Sequence, residues 1–545
     1  MPDYADLSVL LVDPNQGMRA QLRNMLNQSG INRIDDAVSS GTAIRQIGKK
    51  SYDVILCEYD LGSGAGDSGQ DGQQLLEDLR SHKLIGPWTI FIMLTSEGVY
   101  SKVIGAAELT PTDYVLKPFT VDVLLQRITR AVDKRAVFMP VYQHISLGNL
   151  RKAADDCATS EEKHPRHAVE FCRLRAEMLY TLGEYAEAEQ IYLQVLMARP
   201  IGWAHLGLAR CLFAQGKYQE AQQSLDNLLE HNPRFMAAYD LLAKTHEAMG
   251  QATTAKKILE DAVAISPHMV GRLRHLGAVA YETGDVTAAE KAFKQVVNKA
   301  KYSEFRNPED HVNLVKALVK KGDANQASGV IRDLERSMRG NANTEACRAI
   351  AAGLLMEMTG NKEGAANELT TAVGAIGTSR GLSTGLKLGL VQSCIKNQLD
   401  DQASLLMVNL MNDTDSGVSM DDAVQVFEKA GRHDLARGMG EEIQRQVQEL
   451  IDDAADKRAQ GDLRAAVDTL SGALRKAPGN LKLLPAAASA ILKQLDDLGW
   501  EAPLGEQAGS LLERIRRLDP AHPLLESLTA QYTSTQRKYG ISTTA

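Results

Sequence analysis

From residue 182 the chain begins to copy itself. LGEYAEAEQIYLQVLMARP (182–200) is echoed by QGKYQEAQQSLDNLLEHNP (215–233), which sets Gly183 and Gly216, and likewise Pro200 and Pro233, 33 residues apart. Gly250, Ala255 and Pro267 continue the series at a spacing of 34, and Gly284 with Ala289 repeats it again. In each unit a Gly separates two segments of helical length, and a small Ala follows five residues later. A Pro closes the second helix in the first three units. The Gly admits a left-handed turn, the Ala lets two helices approach closely, and the Pro cannot continue a helix. A fixed period of this length means that each unit covers the apolar face of its neighbour, so the chain must stack into an elongated array. With 545 residues it is in any case too long for one hydrophobic core.

This pattern resembles the tetratricopeptide repeat, whose 34-residue helix-turn-helix units stack into a right-handed superhelix. The match is strong over 169–300. Upstream, Gly148, Ala153 and Pro165 keep the same internal spacings, so a first repeat begins where the preceding domain ends, with little or no linker. Downstream, Gly322 with Ala327 and Gly360 with Ala365 recur at 38, Gln398 with Ala403 keeps that spacing without the Gly, and Gly431 with Ala436 and then Gly461 with Ala466 resume the pattern. The array is therefore expected over 131–545, most regular at 165–300, lengthened at 300–420, and closed by capping helices at 480–545. The resemblance implies a concave groove lined by the first helix of each unit. It nominates Arg173, Tyr180, Trp203, Arg210, Phe213, Lys244, Arg274 and Tyr281 as groove residues. Aromatic and cationic side chains together suit a protein or peptide partner. Against this stands the reading in which Trp203 and Phe213 pack between repeats and the charges are merely solvated.

The first 130 residues have a different grammar. Short apolar runs at 8–12 (SVLLV), 53–57 (DVILC) and 89–94 (TIFIML) read as buried parallel strands, with a weaker strand at 113–116. Between them lie amphipathic helices carrying Met18, Leu22, Met25 and Leu26, then Ala43, Ile44 and Ile47 after a capping Ser40, then Leu75, Leu76 and Leu79 after a capping Asp71. The expected fold is a doubly wound α/β sheet, which places its site at the carboxyl ends of the strands. Those ends carry Asp13, Glu58, Thr95 and Lys117, with Tyr114 three residues before the lysine. The motifs LLVD, YDVILCE, MLTS and YVLKPF make this region resemble the receiver domain of two-component signalling, a five-stranded flavodoxin-like fold that accepts phosphate on an aspartate.

Two positions depart from that family. The first strand usually ends in two acids, the second of which contacts Mg²⁺; here Asp13 is followed by Pro14. The phosphoacceptor position, an aspartate in active members, is Glu58. A lone acid serves a hard cation poorly, and the extra methylene of a glutamate spoils in-line geometry. Three readings stand open: Glu58 extends toward Lys117 and Thr95 and imitates a phosphoryl group, the pocket is an inert scaffold with Glu58 paired to Lys117, or Asp60 is phosphorylated with Mg²⁺.

The loop behind Glu58 contains a literal GxGxxG at Gly64, Gly66 and Gly69. Gln70 and Asp71 intervene before the helix, and no acid follows at the distance a ribose would need, so a nucleotide is not expected there. The net charge of -8 argues against nucleic acid. No run approaches the roughly 18 apolar residues of a membrane helix, and six scattered cysteines without CxxC suit a reducing cytoplasm. No catalytic or metal-binding set emerges from spacing, and His144, His164 and His167 are expected on polar faces. The expectation is a cytoplasmic, non-enzymatic adaptor without cofactor, holding a partner protein in the groove, and the resemblance to receivers implies a homodimer through the face near 99–131. The rival is a phosphorylatable response regulator, using Asp60 or Glu58 and Mg²⁺ to switch partner binding. RNA binding along the groove is a remote third.

Overall fold

The computed structural model describes residues 6–539 except 63–70, 97–110, 268, 301–304, 377–378, 380, 414–415, 417, 419, 477–479 and 520. Its contacts divide the chain into two compact units, Met1–Asp323 and Ala324–Ala545.

The first unit opens with a sheet of five parallel strands among the described residues: β1 (Ser8–Val12), β2 (Arg33–Ala37), β3 (Val54–Glu58), β4 (Ile90–Ser96) and β5 (Asp113–Lys117), in the order β2-β1-β3-β4-β5. Alternate residues of each inner strand feed opposite faces. Val9, Leu11, Val54, Leu56, Ile92 and Leu94 pack on α1 (Gln16–Asn27) and on Leu124 and Ile128. Leu10, Val12, Ile55, Cys57, Phe91 and Met93 pack on α2 (Ser40–Ile47) and α3 (Gly72–Ser81). Being covered on both faces is why these strands read as unbroken apolar runs. β2 has no such run: its Asp35 accepts from Lys50 Nζ (2.7 Å) and Tyr52 Oη (2.9 Å), and Asp36 from Arg23 (2.7 Å). An edge strand can keep acids that an inner one cannot.

Two caps refine the helix starts. Ser39, not Ser40, caps α2: its extended backbone lets its hydroxyl accept from Thr42 N–H (3.3 Å), while Ser40 is already helical and buried. Asp71 caps α3 in a reciprocal box with Gln74.

The helix after β5, α4 (Val121–Ser146), does not stop where the sheet ends. Its first half packs on the sheet through Leu124, Ile128 and Ala131, and its second half packs through Phe138 and Val141 on Ala153, Cys157 and Phe171 of the next two helices. The last helix of the α/β domain is thus also the first helix of the first repeat. Antiparallel helix pairs follow from Leu150–Lys163 to Pro308–Lys321. Gly148, Gly183, Gly216, Gly250, Gly284 and Gly322 all adopt left-handed backbone, and Ala153, Ala188, Ala221, Ala255 and Ala289 are fully buried. Between repeats, the fully buried guanidinium of Arg272 grips Asp240 through two 2.8 Å bonds.

The second unit continues the pattern. At the position where Gly is missing, Gln398 adopts the left-handed conformation itself, with φ +60°. Where the spacing shortens to 30, between Gly431 and Gly461, no loop breaks the chain: His433–Ala459 is one 27-residue helix serving two successive pairs. The final helices, Leu483–Leu498, Ala502–Leu518 and Leu525–Lys538, share one core with it through Val447, Leu484, Ile491, Leu512 and Leu528.

The Gly/Ala signature predicts a ranking. A Cβ at Gly250 would meet nothing within 4 Å, so Gly250→Ala should cost only the left-handed backbone penalty, about 1–2 kcal/mol. Ala255→Leu forces two packed helices apart and should cost about 1–3 kcal/mol or more. Urea unfolding followed by circular dichroism should place the midpoints in the order wild type, Gly250→Ala, Ala255→Leu.

Candidate functional site

The carboxyl ends of β1, β3 and β5 bring three charged side chains together. Asp13, just past β1, is almost fully buried; its Oδ1 accepts from Asn15 N–H (2.7 Å) and its carbonyl from Arg19 Nη1 (2.6 Å). Lys117, the last residue of β5, holds its ammonium 3.6 Å from Asp13 Oδ2 and pairs with Glu58 Oε2. Glu58 Oε1 accepts from Asp60 N–H at 3.2 Å. Thr95 is buried nearby on β4, but its hydroxyl donates to the carbonyl of Ser96 (3.4 Å). Of the two contacts expected of Glu58, the one with Lys117 is made. Tyr114 packs against the sheet face that α3 covers. Asp60 is exposed and accepts from Gly62 N–H (2.9 Å). Burial first, and then the field of Glu58, Asp71 and Asp13, pushes the Cys57 thiol well above its ordinary range.

The start of α3 is set hard against this pocket. A Cβ on Gly72 would lie 2.5 Å from the Glu58 carbonyl and 2.8 Å from Met93 Sδ, and Gly72 N–H donates to Tyr59 O at 2.7 Å. The Gly at this helix start is what allows α3 to close over the end of β3. Gly64, Gly66 and Gly69 lie outside the described residues, as does the stretch 97–110 of the pairing face expected near 99–131.

In the helical array, four of the nominated groove residues form a crossed cluster. The Arg173 guanidinium lies over Trp203 (5.6 Å) while donating to Glu177 (2.8 Å), and the Arg210 guanidinium lies over Tyr180 (4.3 Å). Trp203 also meets Tyr192 edge-on. Phe213 packs on Tyr218 (5.4 Å). Arg274 is committed to Asp310 by two bonds of 2.7 and 2.8 Å, and Tyr281 is covered by the Lys320 ammonium at 4.3 Å. Burial would depress the Arg274 guanidinium, but the Asp310 carboxylate more than offsets this and raises it. Lys244 is exposed on Met236–Ala248. The nominated residues therefore divide into an aromatic and cationic cluster at Arg173, Tyr180, Trp203 and Arg210 and inter-repeat staples at Arg274 and Tyr281.

This pocket and this array have counterparts among known proteins. A model of the response regulator receiver domain matches residues 9–129, and two models of the tetratricopeptide repeat match 202–245 and 237–269. The protein is a receiver domain joined to tetratricopeptide repeats. Over the receiver, 24% of this chain, it is 24% identical to 94% of chemotaxis protein CheY-3 of Vibrio cholerae. It is 25% identical to 98% of chemotaxis protein CheY of Pseudomonas aeruginosa, again over 24% of this chain. Among solved structures, a tetratricopeptide repeat protein from Parabacteroides merdae is similar at 14% identity and a TM-score of 0.37, covering 49% of this chain and 98% of that one. The receiver domain of NtrX from Brucella abortus aligns at 21% identity and a TM-score of 0.21, covering 23% and 98%.

Sequence reasoning passed over Arg80, His82, Trp88 and Phe305. His82 ends α3 and stacks on Phe305 of the repeat region, ring centroids 3.6 Å apart and planes within 8°. Trp88, folded back over Gly86, approaches Tyr142 at 6.4 Å. No motif announces these residues, because each gains meaning only from a neighbour far along the chain.

The Lys117 ammonium separates two carboxylates and is itself only about a quarter exposed. Lys117→Met should therefore destabilise the receiver by about 1–3 kcal/mol, less than the 3–5 kcal/mol of a fully buried pair. In a double-mutant cycle, Glu58→Gln combined with Lys117→Met should cost clearly less than the sum of the single changes, measured by denaturant unfolding.

Proposed function

We propose that the protein is a non-enzymatic signalling adaptor of the cytoplasm, in which a degenerate receiver is coupled to a repeat array that holds a partner protein. The observation that carries this reading is the ion pair between Glu58 and Lys117. The lysine that would neutralise an incoming phosphoryl group is already occupied, and it is occupied by the residue standing at the phosphoacceptor position. Glu58 pairs directly with Lys117, so the pocket carries its own anion.

The remaining donors also speak against a metal. Magnesium asks for near-octahedral oxygen ligands. Glu58 is engaged by the ammonium, Asp13 Oδ2 lies 3.6 Å from the same ammonium, and Pro14 offers no side-chain oxygen. This set does not fit Mg²⁺, and no phosphoryl step is routed through it.

The partner is assigned to the concave face at Arg173, Tyr180, Trp203 and Arg210. Arginines stacked on aromatic rings are pre-organised, lose little side-chain entropy on binding, and suit a peptide or protein surface bearing carboxylates. The net charge of -8 favours such a partner over RNA. With Trp203 and Tyr180 only half-buried, the cluster keeps surface to offer after packing between repeats.

Incubating the purified chain with a small phosphodonor and Mg²⁺ should give no mass increase; a stoichiometric gain of one phosphoryl group, on Glu58 or Asp60, would overturn the degenerate receiver in favour of a phosphorylated regulator. In affinity purification from the native cell, Trp203→Ala with Arg210→Glu should lose the protein that wild type retains. Retention by that variant would remove the groove as the binding site.

A further inference from the structure

The second unit holds an open cleft of its own. It measures about 520 Å³ and lies between the second half of His433–Ala459, the start of Leu483–Leu498 and the 521–524 connection between the last two helices. Its floor belongs to the terminal core: Ala454, Leu470 and Ala490 are buried members of it, and Ile451 and Ala486 pack against that core while only partly covered. The helices meet here through alanines, Ala454 and Ala455 on one side and Ala486 and Ala490 on the other, which leaves room that larger side chains would fill to native density. Leu481 and Leu524 also line the cleft, and they remain 39% and 51% exposed.

The ionisable side chains that line this cleft are all basic. Arg458 lies in the last turn of His433–Ala459, Lys482 stands just before Leu483–Leu498, and His522 belongs to the connection; no carboxylate is among the lining residues. Neither Arg458 nor Lys482 is held by an acid among the described residues, whereas the adjacent Lys457 is taken by Asp453 at 2.7 Å. His522 Nδ1 accepts from Leu524 N–H (3.2 Å), which places its proton on Nε2 as a donor. Glu526, two residues beyond Leu524, lines a separate hollow with Arg516 and Arg537. Asn480 Oδ1 already accepts from the N–H groups of Lys482 and Leu483 (2.9 and 3.2 Å), so an anion here meets side chains and not a bare helix end.

We propose that this cleft is a second docking site, which takes a short acidic segment of a partner protein: one or two apolar side chains flanked by aspartate or glutamate. Charge complementarity decides the flanks, because two unpaired cations beside an apolar floor favour carboxylates and disfavour basic segments. The proposal stands apart from the reading of the Arg173 cluster, whose residues lie in the first unit.

The apolar floor decides the centre. An apolar middle within a polar rim is the anatomy of a protein interface, whereas a small-molecule site aims a few polar groups into its interior to fix the ligand's orientation. Here Arg458, Lys482 and Gln448 are exposed, and Gln448 already donates to Asp452 on its own helix (2.9 Å).

The wall also sets the length of the occupant. From Gln448 to Arg458 it runs about 15 Å at 1.5 Å per residue, the reach of roughly four or five extended residues. A segment so short buries little apolar surface, so its affinity leans on the exposed cations and should fall as salt is raised.

The test is selection of a phage-displayed random heptapeptide library on the full chain, after depletion on the full chain carrying Arg458→Glu with Lys482→Glu. Enriched peptides should combine Leu, Ile, Met or Phe with neighbouring Asp or Glu, and their fluorescein-labelled synthetic forms should bind the wild type about tenfold or more tighter than that variant. Leu481→Asp with Leu524→Asp leaves both cations in place and should weaken binding about tenfold as well. Arg458→Lys with Lys482→Arg keeps the charges and should bind as wild type. All four positions are exposed, so the variants should melt as wild type does. Trp203→Ala/Arg210→Glu should also bind these peptides as wild type, so failure of the groove in the first unit and failure of this cleft are told apart. No enrichment, enriched peptides without acids, or full binding by Leu481→Asp/Leu524→Asp overturns the site. Binding of a labelled oligouridylate in place of the peptides would give the cleft to RNA, and a wild-type dimer in sedimentation that Leu481→Asp/Leu524→Asp converts to monomer would give it to a second copy; either overturns the acidic segment.

Discussion

Much of the first unit depends on one helix, Val121–Ser146, being buried twice. Over its first turns Leu124, Ile128 and Ala131 complete one face of the sheet; over its last turns Phe138 and Val141 start the repeat core. Neither region can be finished without it. An ordinary two-domain chain has a linker that absorbs insertions and independent motion, whereas here the two cores are phased by the 3.6-residue periodicity of a shared helix. That phasing goes with ring contacts between the receiver and the helices that follow it: His82 lies on Phe305 and Trp88 approaches Tyr142.

The same economy governs the array. In the regular units a loop separates each pair from the next, but at His433–Ala459 the second helix of one pair runs on into the first of the following pair. A shorter spacing in the sequence is a lost loop in the structure, not a lost helix. The left-handed turn within each pair, by contrast, is never dispensed with from Gly148 to Gly461, even where Gln398 must adopt it at a cost in backbone strain of about 1–2 kcal/mol. The turn sets the antiparallel geometry and is indispensable, whereas the connection between pairs only bridges a gap.

At the receiver pocket the carboxylate at the end of β3 pairs with the lysine at the end of β5: Glu58 meets the Lys117 ammonium directly. On the reading proposed above, the two departures from the receiver pattern, Glu58 and Pro14, belong together: a pocket that carries its own anion at the acceptor position has less need of a second acid to hold a cation.

The sequence by itself determined the two architectures and the contents of the pocket. Gly and Ala at fixed spacing specify the helical pairs because left-handed turns and close helix contacts admit few other residues, and the inner strands are legible because burial on both faces demands unbroken apolar runs. Asp13, Glu58, Thr95 and Lys117 could be gathered from the primary structure since parallel strands deliver their carboxyl ends to one edge. β2 was hidden, because an edge strand tolerates Asp35 and Asp36. Only the tertiary structure decided that Thr95 turns to Ser96, that Arg274 and Tyr281 are stapled to the next repeat, and that His82 rests on Phe305. Thr95 turns on a rotamer choice beside its own neighbour, the two staples join residues in successive repeats, and the His82–Phe305 stack joins residues more than two hundred positions apart; each depends on packing that no local pattern of side chains encodes.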